Sequence, residues 1–561
     1  MPEPNKTAAE IFLTAMKAGG VDYVFANAGT DFAPILEALI AGRGTGAAYP
    51  EFVIAPHENA AVAMAQGYYL ATGHPQAAMV HVNVGVANAL CGLMNAARDN
   101  IPMLFASGRT PVTEEGRRGA RDNFIHWGQE MFDQAAMLRE IVKWDYELRY
   151  PEQAGILVER ALAIASSEPR GPVYLSLPRE TLAETADVEI TPRPIAPASS
   201  PQPDVGAIDQ AAKIIAAAER PLLITSRVGK SAAAVEALDR LAERFAIPVV
   251  EFCANYMCLR TDHPLHAGFN PAPLLETADA VIVADAPVAW PASKTRPPAD
   301  CRVIHLAPDP LFGGLPYRGF RADLNIATEM AAGLAALSDA LETAADSTRV
   351  EARRKALIPR LEKERTARLE KAAAPGARIT HAYASHCLNK ALGPDGVLVN
   401  ERGALREAMT YSKPGTFFGP TIAGGLGASI GVALGVKLAD PSRLVAAAMG
   451  DGSCIFNNPV ACLQIAAARK LPILIAVLNN CAWQSVQAST VQTYPGGLTS
   501  KTNDPPLTSL APSPDYAAVA EACGAEDISV SDPVALPAAL AEAVKTVRNG
   551  KNTVLVDIAV A

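Results

Sequence analysis

The fold is decided by Gly450-Asp451-Gly452-Ser453, which follows the apolar run 444–449, together with Asn479-Asn480, which follows the apolar run 473–478. Twenty-five residues separate the two polar segments. A buried strand, a helix and a second buried strand form a βαβ unit, and its two strands end at the same carboxyl edge of a parallel sheet. The spacing therefore predicts that both segments meet at one edge of a sheet, which is where ligands bind in such folds.

The residue types at this edge fit an anion and a metal ion. Glycines at 450 and 452 allow a tight turn, and the N–H groups of Gly452 and Ser453 at a helix start would face an oxyanion. Asp451 and Asn480 offer one charged and one neutral oxygen ligand, which suits Mg²⁺ already neutralised by a diphosphate. The alternative is an ordinary Gly-Asp turn and a polar strand end, as in any α/β fold.

The spacing and the doubled asparagine resemble the diphosphate and metal motif of thiamine-diphosphate enzymes. The resemblance implies that Asp451, Asn480 and the backbone carbonyl of Ala482 bind Mg²⁺, and that residues 450–453 bind the diphosphate. A second motif of that family matches residues 423–431, where Leu426 lies 25 residues before Asp451. There Leu426 would hold thiamine diphosphate in a bent shape, and the Gly424 carbonyl would accept a bond from its aminopyrimidine.

A carboxylate stands in front of an alanine-rich segment in residues 58–68. A buried carboxylate at the mouth of such a helix is costly unless it has a task. Thiamine-diphosphate enzymes carry a glutamate before a similar helix ending in Gly-Tyr, so the resemblance implies that Glu58 is this residue. It would hold the pyrimidine in the tautomer that removes the thiazolium C2 proton. The alternative is a glutamate that stabilises a helix N-terminus.

Two further residues resemble the active-site residues of benzoylformate decarboxylase and its relatives. His81 follows a predicted strand, Thr30 closes Asn-Ala-Gly-Thr, and both could move protons near a 2-oxo acid. The second histidine of that decarboxylase has no counterpart here, because Ala292 occupies the position. We therefore expect the substrate not to be benzoylformate itself.

Composition limits the partners that the protein can have. The chain has 561 residues, half of them hydrophobic, and 49 Lys and Arg against 58 Asp and Glu, without a basic block for nucleic acid or anionic lipid. No apolar stretch is long enough to span a membrane, and the first residues lack a signal-peptide pattern. We expect a cytoplasmic protein that binds neither nucleic acid nor membrane. Its nine cysteines show no disulfide or zinc pattern.

The length and the repeated strand and helix patterns predict an α/β protein of three domains, each a parallel sheet flanked by helices. The predicted boundaries are 1–185 for a pyrimidine-binding domain, 206–340 for a central domain and 376–561 for a diphosphate- and metal-binding domain. A Pro-rich linker is expected at 185–206, and a mixed-charge helical connection at 340–375. The central domain binds FAD in acetolactate synthases, but Ser226-Arg227-Val228-Gly229 replaces a Gly-rich turn, so FAD is not favoured.

The resemblance extends over residues 8–560 and indicates the acetolactate synthase and benzoylformate decarboxylase-like branch. It implies decarboxylation or carboligation of a 2-oxo acid, and the apolar Val486 slightly favours carboligation. It also implies a homodimer, or a homotetramer, in which Glu58 completes a site whose Asp451 belongs to another subunit. Two alternatives stay open: a 2-hydroxyacyl-CoA lyase or oxalyl-CoA decarboxylase-like enzyme, and an inactive homologue that binds the cofactor.

Overall fold

The computed structural model describes residues 6–186, 191–502 and 505–561. The predicted linker at 185–206 lies partly outside the described residues. So does the segment 488–512, for which a sequence rich in Pro, Gly, Ser and Thr predicts a loop that could close over the substrate. Within the described residues the strands form three sheets, and every strand pair in them is parallel. Among the described residues, seven of the seventeen strands are buried along their whole length and four more along all but one residue, as expected for parallel sheets covered by helices on both faces. The predicted fold class is confirmed.

The first sheet contains six strands: β1 Tyr23–Asn27, β2 Glu51–Ile54, β3 Gln76–Val80, β4 Met103–Arg109, β5 Asp145–Glu147 and β6 Pro172–Pro178. Their order is β2-β1-β3-β4-β6-β5. Seven helices accompany them: α1 Ala8–Ala18, α2 Ala33–Thr45, α3 Glu58–Thr72, α4 Val82–Arg98, α5 Ile125–Gly128, α6 Ala154–Ser166 and α7 Arg179–Ala183. A Thr7–Glu10 capping box fixes the start of α1. Because β1 and β3 are neighbours, the residues that follow them lie side by side.

The second sheet contains five strands: β7 Pro221–Thr225, β8 Val249–Glu251, β9 Ala280–Ala284, β10 Arg302–Ala307 and β11 Leu324–Ala327. Their order is β11-β10-β9-β7-β8. Its helices are α8 Val205–Ala217, α9 Ala232–Phe245, α10 Ala272–Leu275, α11 Met330–Ala344 and α12 Ser347–Ala373. The long α12 confirms the mixed-charge helix predicted within 340–375.

The third sheet contains six strands: β12 Val397–Glu401, β13 Phe417–Phe418, β14 Val445–Gly450, β15 Leu474–Asn479, β16 Glu526–Val530 and β17 Val554–Ala559. Their order is β13-β12-β14-β15-β17-β16. Its helices are α13 His381–Leu392, α14 Ser429–Ala439, α15 Asp451–Phe456, α16 Pro459–Arg469, α17 Gln484–Thr493, α18 Tyr516–Ala522 and α19 Leu536–Arg548. Helix α17 is a correction, because residues 488–493 belong to it and not to the predicted loop. The exact domain boundaries stay a prediction.

Helices α3 and α14 join the first and third domains, and they pack so closely that their backbones are in contact. A Cβ atom added at Gly67 would lie 2.0 Å from the carbonyl oxygen of Val432, and one at Gly435 would lie 2.1 Å from that of Met64. Only glycine permits so close an approach. This packing sets the start of α3 beside the loop that precedes α14.

A buried ion pair joins the second and third domains. Arg406 Nη2 donates to Glu251 Oε2 at 2.6 Å, and His266 Nε2 lies 3.1 Å from the same oxygen. Burial opposes the charge on Glu251, but Arg406 and His266 outweigh it and lower the pKa of Glu251 to about 2. The three domains are thus held by specific contacts around the edge that carries the polar strand ends.

Candidate active site

The two polar segments of the third domain meet as the βαβ spacing predicted. Strands β14 and β15 are neighbours, with Gly450 paired to Leu478, so Asp451 and Asn480 follow adjacent strand ends. Asp451 is the first residue of α15. The hydroxyl of Tyr516 donates to the Asp451 carbonyl at 2.9 Å and holds this turn from α18.

The Asp451 carboxylate is buried and incompletely satisfied. Its Oδ2 atom has no hydrogen-bond partner among the described residues. Burial raises the pKa of Asp451, and the backbone N–H groups of Gly452, Cys481 and Ala482 oppose that rise. A buried carboxylate oxygen without a partner is costly unless a ligand completes it. This atom fits a metal ligand.

The turn after β15 is shaped by its own amides. Cys481 N donates to Asn479 Oδ1 at 3.1 Å, and Ala482 N donates to Asn480 Oδ1 at 3.1 Å. Cys481 adopts a left-handed φ of 55°, which folds the chain back toward Asp451. The backbone N–H groups of Cys481 and Ala482 thus lie near the Asp451 carboxylate. Binding of a metal ion by Asp451, Asn480 and the Ala482 carbonyl stays a prediction.

The structure leaves room for a side chain at Gly450, before Asp451, but not at Gly452, after it. Gly450 has an extended φ of −76°, and an added Cβ would come no closer than 4.0 Å to the nearest backbone atom, so the tight turn expected there is absent. At Gly452 an added Cβ would lie 2.3 Å from the Trp483 ring. Gly452 is needed because this ring lies over it.

The Gly-rich loop, residues 423–428, is held by a buried carboxylate that the motif analysis missed. Glu401 Oε1 accepts from Gly427 N at 2.7 Å, and Oε2 accepts from the N–H groups of Ala428 at 2.9 Å and Ser429 at 2.8 Å. The carboxylate fixes the loop while Gly424 stays exposed and Leu426 half-buried. A charged residue two positions after the apolar run 397–399 was the available signal.

Glu58 lies at the start of α3, directly beside the Gly-rich loop. It is buried, and Asn88 Nδ2 donates to its Oε2 at 3.1 Å. The next residue, Asn59, donates to the carbonyl of Gly427 at 2.9 Å, and Asn95 donates to that of Gly425 at 2.9 Å. Asn88 was not predicted, although an amide in the apolar start of α4 was a visible signal.

The start of α3, where Glu58 lies, therefore contacts the Gly-rich loop, and this loop contacts the end of α15, the helix that Asp451 begins. Gly427 connects them, since an added Cβ there would lie 2.0 Å from the carbonyl oxygen of Phe456 at the end of α15. The sequence predicted that Glu58 would face Asp451 of another subunit. In the structure the contact between α3 and the Gly-rich loop lies within one chain.

His81 and Thr30 lie at the neighbouring ends of β3 and β1. The His81 ring lies over Gly29, where an added Cβ would be 2.1 Å from Nδ1. Its Nδ1 donates to Asp31 Oδ1 at 2.5 Å, a partner that sequence reasoning missed. The Thr30 side chain is exposed. Both predicted residues lie at the carboxyl edge of the first sheet.

These residues fit thiamine diphosphate and Mg²⁺. The unpartnered Asp451 Oδ2, Asn480 and the Ala482 carbonyl are hard oxygen donors, which suit Mg²⁺. Leu426, within the fixed Gly-rich loop, is left partly accessible. None of the helices in the described ranges has the length and hydrophobicity needed to cross a membrane.

Comparison with known proteins agrees with this geometry. Three models of thiamine pyrophosphate enzymes match: the N-terminal TPP binding domain at residues 6–137, the central domain at 208–337 and the C-terminal TPP binding domain at 402–558.

Individual relatives are distant but match along nearly their whole length. Benzoylformate decarboxylase of Pseudomonas aeruginosa is 25% identical over 96% of both chains. An acetolactate synthase large subunit of Parasynechococcus marenigrum is 24% identical over 97% of this chain and 88% of its own. The solved thiamine diphosphate-dependent 4-hydroxybenzoylformate decarboxylase of Rhodococcus jostii RHA1 superposes with a TM-score of 0.77 at 22% identity, covering 99% of both chains. The last likeness shows the fold alone.

Proposed function

The chain belongs to the thiamine pyrophosphate enzyme family, and we propose that it uses thiamine diphosphate and Mg²⁺ to decarboxylate a 2-oxo acid and to pass the remaining acyl unit to a second carbonyl. One observation carries the proposal. Glu58 begins a helix that contacts the Gly-rich loop through Asn59 and Gly427, and that loop lies against the helix of the unsatisfied Asp451.

Each side chain has a task in this proposal. Asp451, Asn480 and the Ala482 carbonyl would hold Mg²⁺, and the N–H groups of residues 452–453 would face the diphosphate. Leu426 and the Gly424 carbonyl would orient the cofactor's rings, and Glu58 would hold a proton at the pyrimidine. Thiamine diphosphate, when bound, supplies the nucleophilic carbon and the electron sink for the carbon–carbon bond that breaks.

The environment favours carboligation over simple decarboxylation. Val486 lies on α17, and its apolar side chain is about half exposed, at 47%. It offers no proton to a reacting carbon, which leaves that carbon free to add to a second carbonyl. Ala292 replaces the second histidine of the benzoylformate decarboxylase type, so we propose an aliphatic 2-oxo acid in place of benzoylformate.

The arginine loop, residues 110–130 with Arg109 at its start, counts against an acyl-CoA substrate. Arg109 donates to Glu130 at 2.7 Å and to Glu147 at 2.5 Å. Arg121 also pairs with Glu130, and Arg117 pairs with Glu184. These charges are already neutralised within the domain, so they are poorly placed to bind the phosphates of coenzyme A.

The experiment is a substrate panel with purified protein, Mg²⁺ and thiamine diphosphate. Aliphatic and aromatic 2-oxo acids are offered with and without an acceptor aldehyde, and CO₂ release and the carbon skeleton of the product are measured. We expect CO₂ from at least one aliphatic acid and a longer product when the aldehyde is present. Cleavage of 2-hydroxyacyl or oxalyl thioesters without activity on free acids would replace the proposal by the CoA alternative. Bound cofactor without either activity would indicate an inactive homologue.

We also propose a homodimer with shared sites, and a homotetramer as its assembly, on the strength of the family resemblance. The face of α4 that flanks the Gly-rich loop exposes Val84 at 46% and Met94 at 42%, a surface that a second copy could cover.

Mixing inactive chains tests the sharing. Glu58→Gln and Asp451→Asn proteins are dissociated, mixed and reassembled. If each site takes Glu58 from one subunit and Asp451 from the other, mixed dimers contain one intact site and activity returns. If both residues come from one chain, the mixture stays inactive and sharing is refuted.

A further inference from the structure

Asp31 and His81 form a buried pair at the edge of the first sheet. Asp31 follows β1 and is only 2% exposed, and His81 follows the neighbouring strand β3. His81 Nδ1 donates to Asp31 Oδ1 at 2.5 Å, and Val82 N lies 3.4 Å from Asp31 Oδ2. An aspartate bonded to Nδ1 places the proton of a neutral imidazole on Nδ1 and leaves Nε2 as the acceptor.

Two glycines provide the space for this pair. A Cβ atom at Gly29 would lie 2.1 Å from His81 Nδ1, and one at Gly108 would lie 1.7 Å from Asp31 Oδ2. Both glycines have ordinary negative φ angles, so it is the close contact and not the backbone conformation that excludes a side chain there. The loop after β1 and the end of β4 thus enclose the carboxylate and keep the ring in one orientation.

The other ring nitrogen faces the arginine loop. Gln129 Nε2 lies 3.3 Å from His81 Nε2, as a donor to the free lone pair. Gln129 Oε1 is buried without a hydrogen-bond partner among the described residues. The next residue, Glu130, is held by Arg109 and by Arg121, so the position of Gln129 is set by an ion-pair network. Gln129 covers the catalytic side of the ring while its own carbonyl lacks a donor.

We propose that Asp31 is a positioning residue that holds His81 with Nε2 toward the substrate, and that Gln129 covers this nitrogen until the substrate's oxygen replaces it. This inference rests on the proposed function. His81 Nε2, the acceptor nitrogen of the neutral ring, takes the proton from the substrate-derived hydroxyl as the product carbonyl re-forms, and then gives this proton to water. The proton count is balanced over the cycle, and the Asp31 carboxylate neutralises the imidazolium that exists between the two transfers.

The displaced Gln129 has a role in the same step. Its unpartnered Oε1 can accept a hydrogen bond from a hydroxyl on the substrate once its amide no longer bonds to His81. Gln129 would therefore act on substrate binding, and Asp31 on the proton transfer. The two residues are expected to change different kinetic constants.

A double-mutant cycle tests the role of Asp31. Asp31→Asn, His81→Gln and the double variant are compared with the wild type for kcat and KM on the best 2-oxo acid from the panel. Removal of an oriented proton-transfer group costs about 10²- to 10⁴-fold in rate. We expect each single variant to lose at least about 100-fold in kcat, and the double variant to be no slower than His81→Gln, because residues that act as one unit are not additive. Gln129→Ala should raise KM more than it lowers kcat.

A merely structural role of Asp31 predicts a different result. Asp31→Asn would then slow the His81→Gln enzyme by the same factor as the wild type, which would overturn the proposal. Asp22→Asn is the matched control, since Asp22 lies at the opposite end of β1 in a surface pair with Lys17 and should leave turnover unchanged.

Two readouts separate this inference from the proposed function. Exchange of the cofactor's C2 proton for deuterium should remain at the wild-type rate in Asp31→Asn, because Glu58 and not His81 serves that step. In ¹⁵N-histidine-labelled protein, the His81 ring should carry its proton on Nδ1 in the wild type and lose this preference in Asp31→Asn. A wild type that turns over no 2-oxo acid refutes the proposed function, whereas an unchanged His81 tautomer in Asp31→Asn refutes the pairing.

Discussion

Replacing Gly67 by alanine tests whether backbone contact between α3 and α14 sets the site. The added methyl group would lie 2.0 Å from the Val432 carbonyl oxygen and 2.8 Å from its carbon. Both atoms belong to backbone, so a rotamer change cannot relieve the clash, and the helices must separate by about 1 Å to restore ordinary contact. Overpacking of this kind costs about 1–3 kcal/mol.

The separation should also reduce activity. Glu58 begins α3 and the Gly-rich loop precedes α14, so a shift between the helices moves Glu58 relative to that loop. A misplacement of about 1 Å can cost on the order of 100-fold in rate. We expect Gly67→Ala to lower both the thermal midpoint of the apoprotein and kcat on the best substrate.

Gly44→Ala is the matched control. Gly44 is also helical, and no atom in the described part of the chain lies within 4 Å of an added Cβ. Alanine there should stabilise the protein by up to about 1 kcal/mol through helix propensity and leave kcat unchanged. The assay is differential scanning calorimetry with steady-state kinetics on the three proteins. If Gly67→Ala were as stable and as active as Gly44→Ala, the close helix contact would not exist in solution.

Three further changes have clear expected outcomes. Asp451→Asn should abolish Mg²⁺-dependent cofactor binding in calorimetric titration yet leave the apoprotein as stable as the wild type or more so, because it removes a buried, unsatisfied charge; a strongly destabilised apoprotein would show that Oδ2 has a structural partner. Glu401→Gln should cost about 2–3 kcal/mol and weaken cofactor binding, because the amide presents N–H where three backbone N–H groups need an acceptor; an unchanged melting midpoint would contradict this. Burial lowers the pKa of His305 to about 4 from 6.5, so its contribution to stability is present above about pH 6.5 and is lost as the pH falls toward 4; urea midpoints at pH 7.5 and 5 should differ less in His305→Gln than in the wild type, and equal differences would refute the assignment.

The third-domain site could be predicted because its signals are local. Residues 444–480 contain both strands, the helix and the polar ends of one βαβ unit, so the topology follows from a single crossover. The tight turn expected at Gly450 is absent, since its backbone is extended, whereas its approach to an oxyanion stays a prediction. The need for Gly452 comes from Trp483, thirty-one positions away. The need for a glycine can be predicted from sequence only when the cause of that need is the local turn and not a contact with a distant residue.

The rest of the site depends on contacts between distant segments. Asn59 and Gly427 touch across 368 positions, and no local pattern encodes that pairing. Asp31 and His81 are each visible as polar residues after strands, but their pairing requires that β1 and β3 be neighbours. Strand β13 has two residues, too few for any periodicity to appear. The types of residue at the site could therefore be predicted from the sequence, whereas the residues that they contact could not.

Exchange of the cofactor's C2 proton measures the central claim most directly, because it requires no knowledge of the substrate. Wild-type protein and Glu58→Gln are loaded with thiamine diphosphate and Mg²⁺, mixed with D₂O, quenched in acid and analysed by proton NMR, with Glu37→Gln on the exposed face of α2 as the control. If Glu58 activates the cofactor, exchange should be fast in the wild type and in Glu37→Gln, and slower by at least about 100-fold in Glu58→Gln. Equal exchange rates in all three loaded proteins would contradict the account.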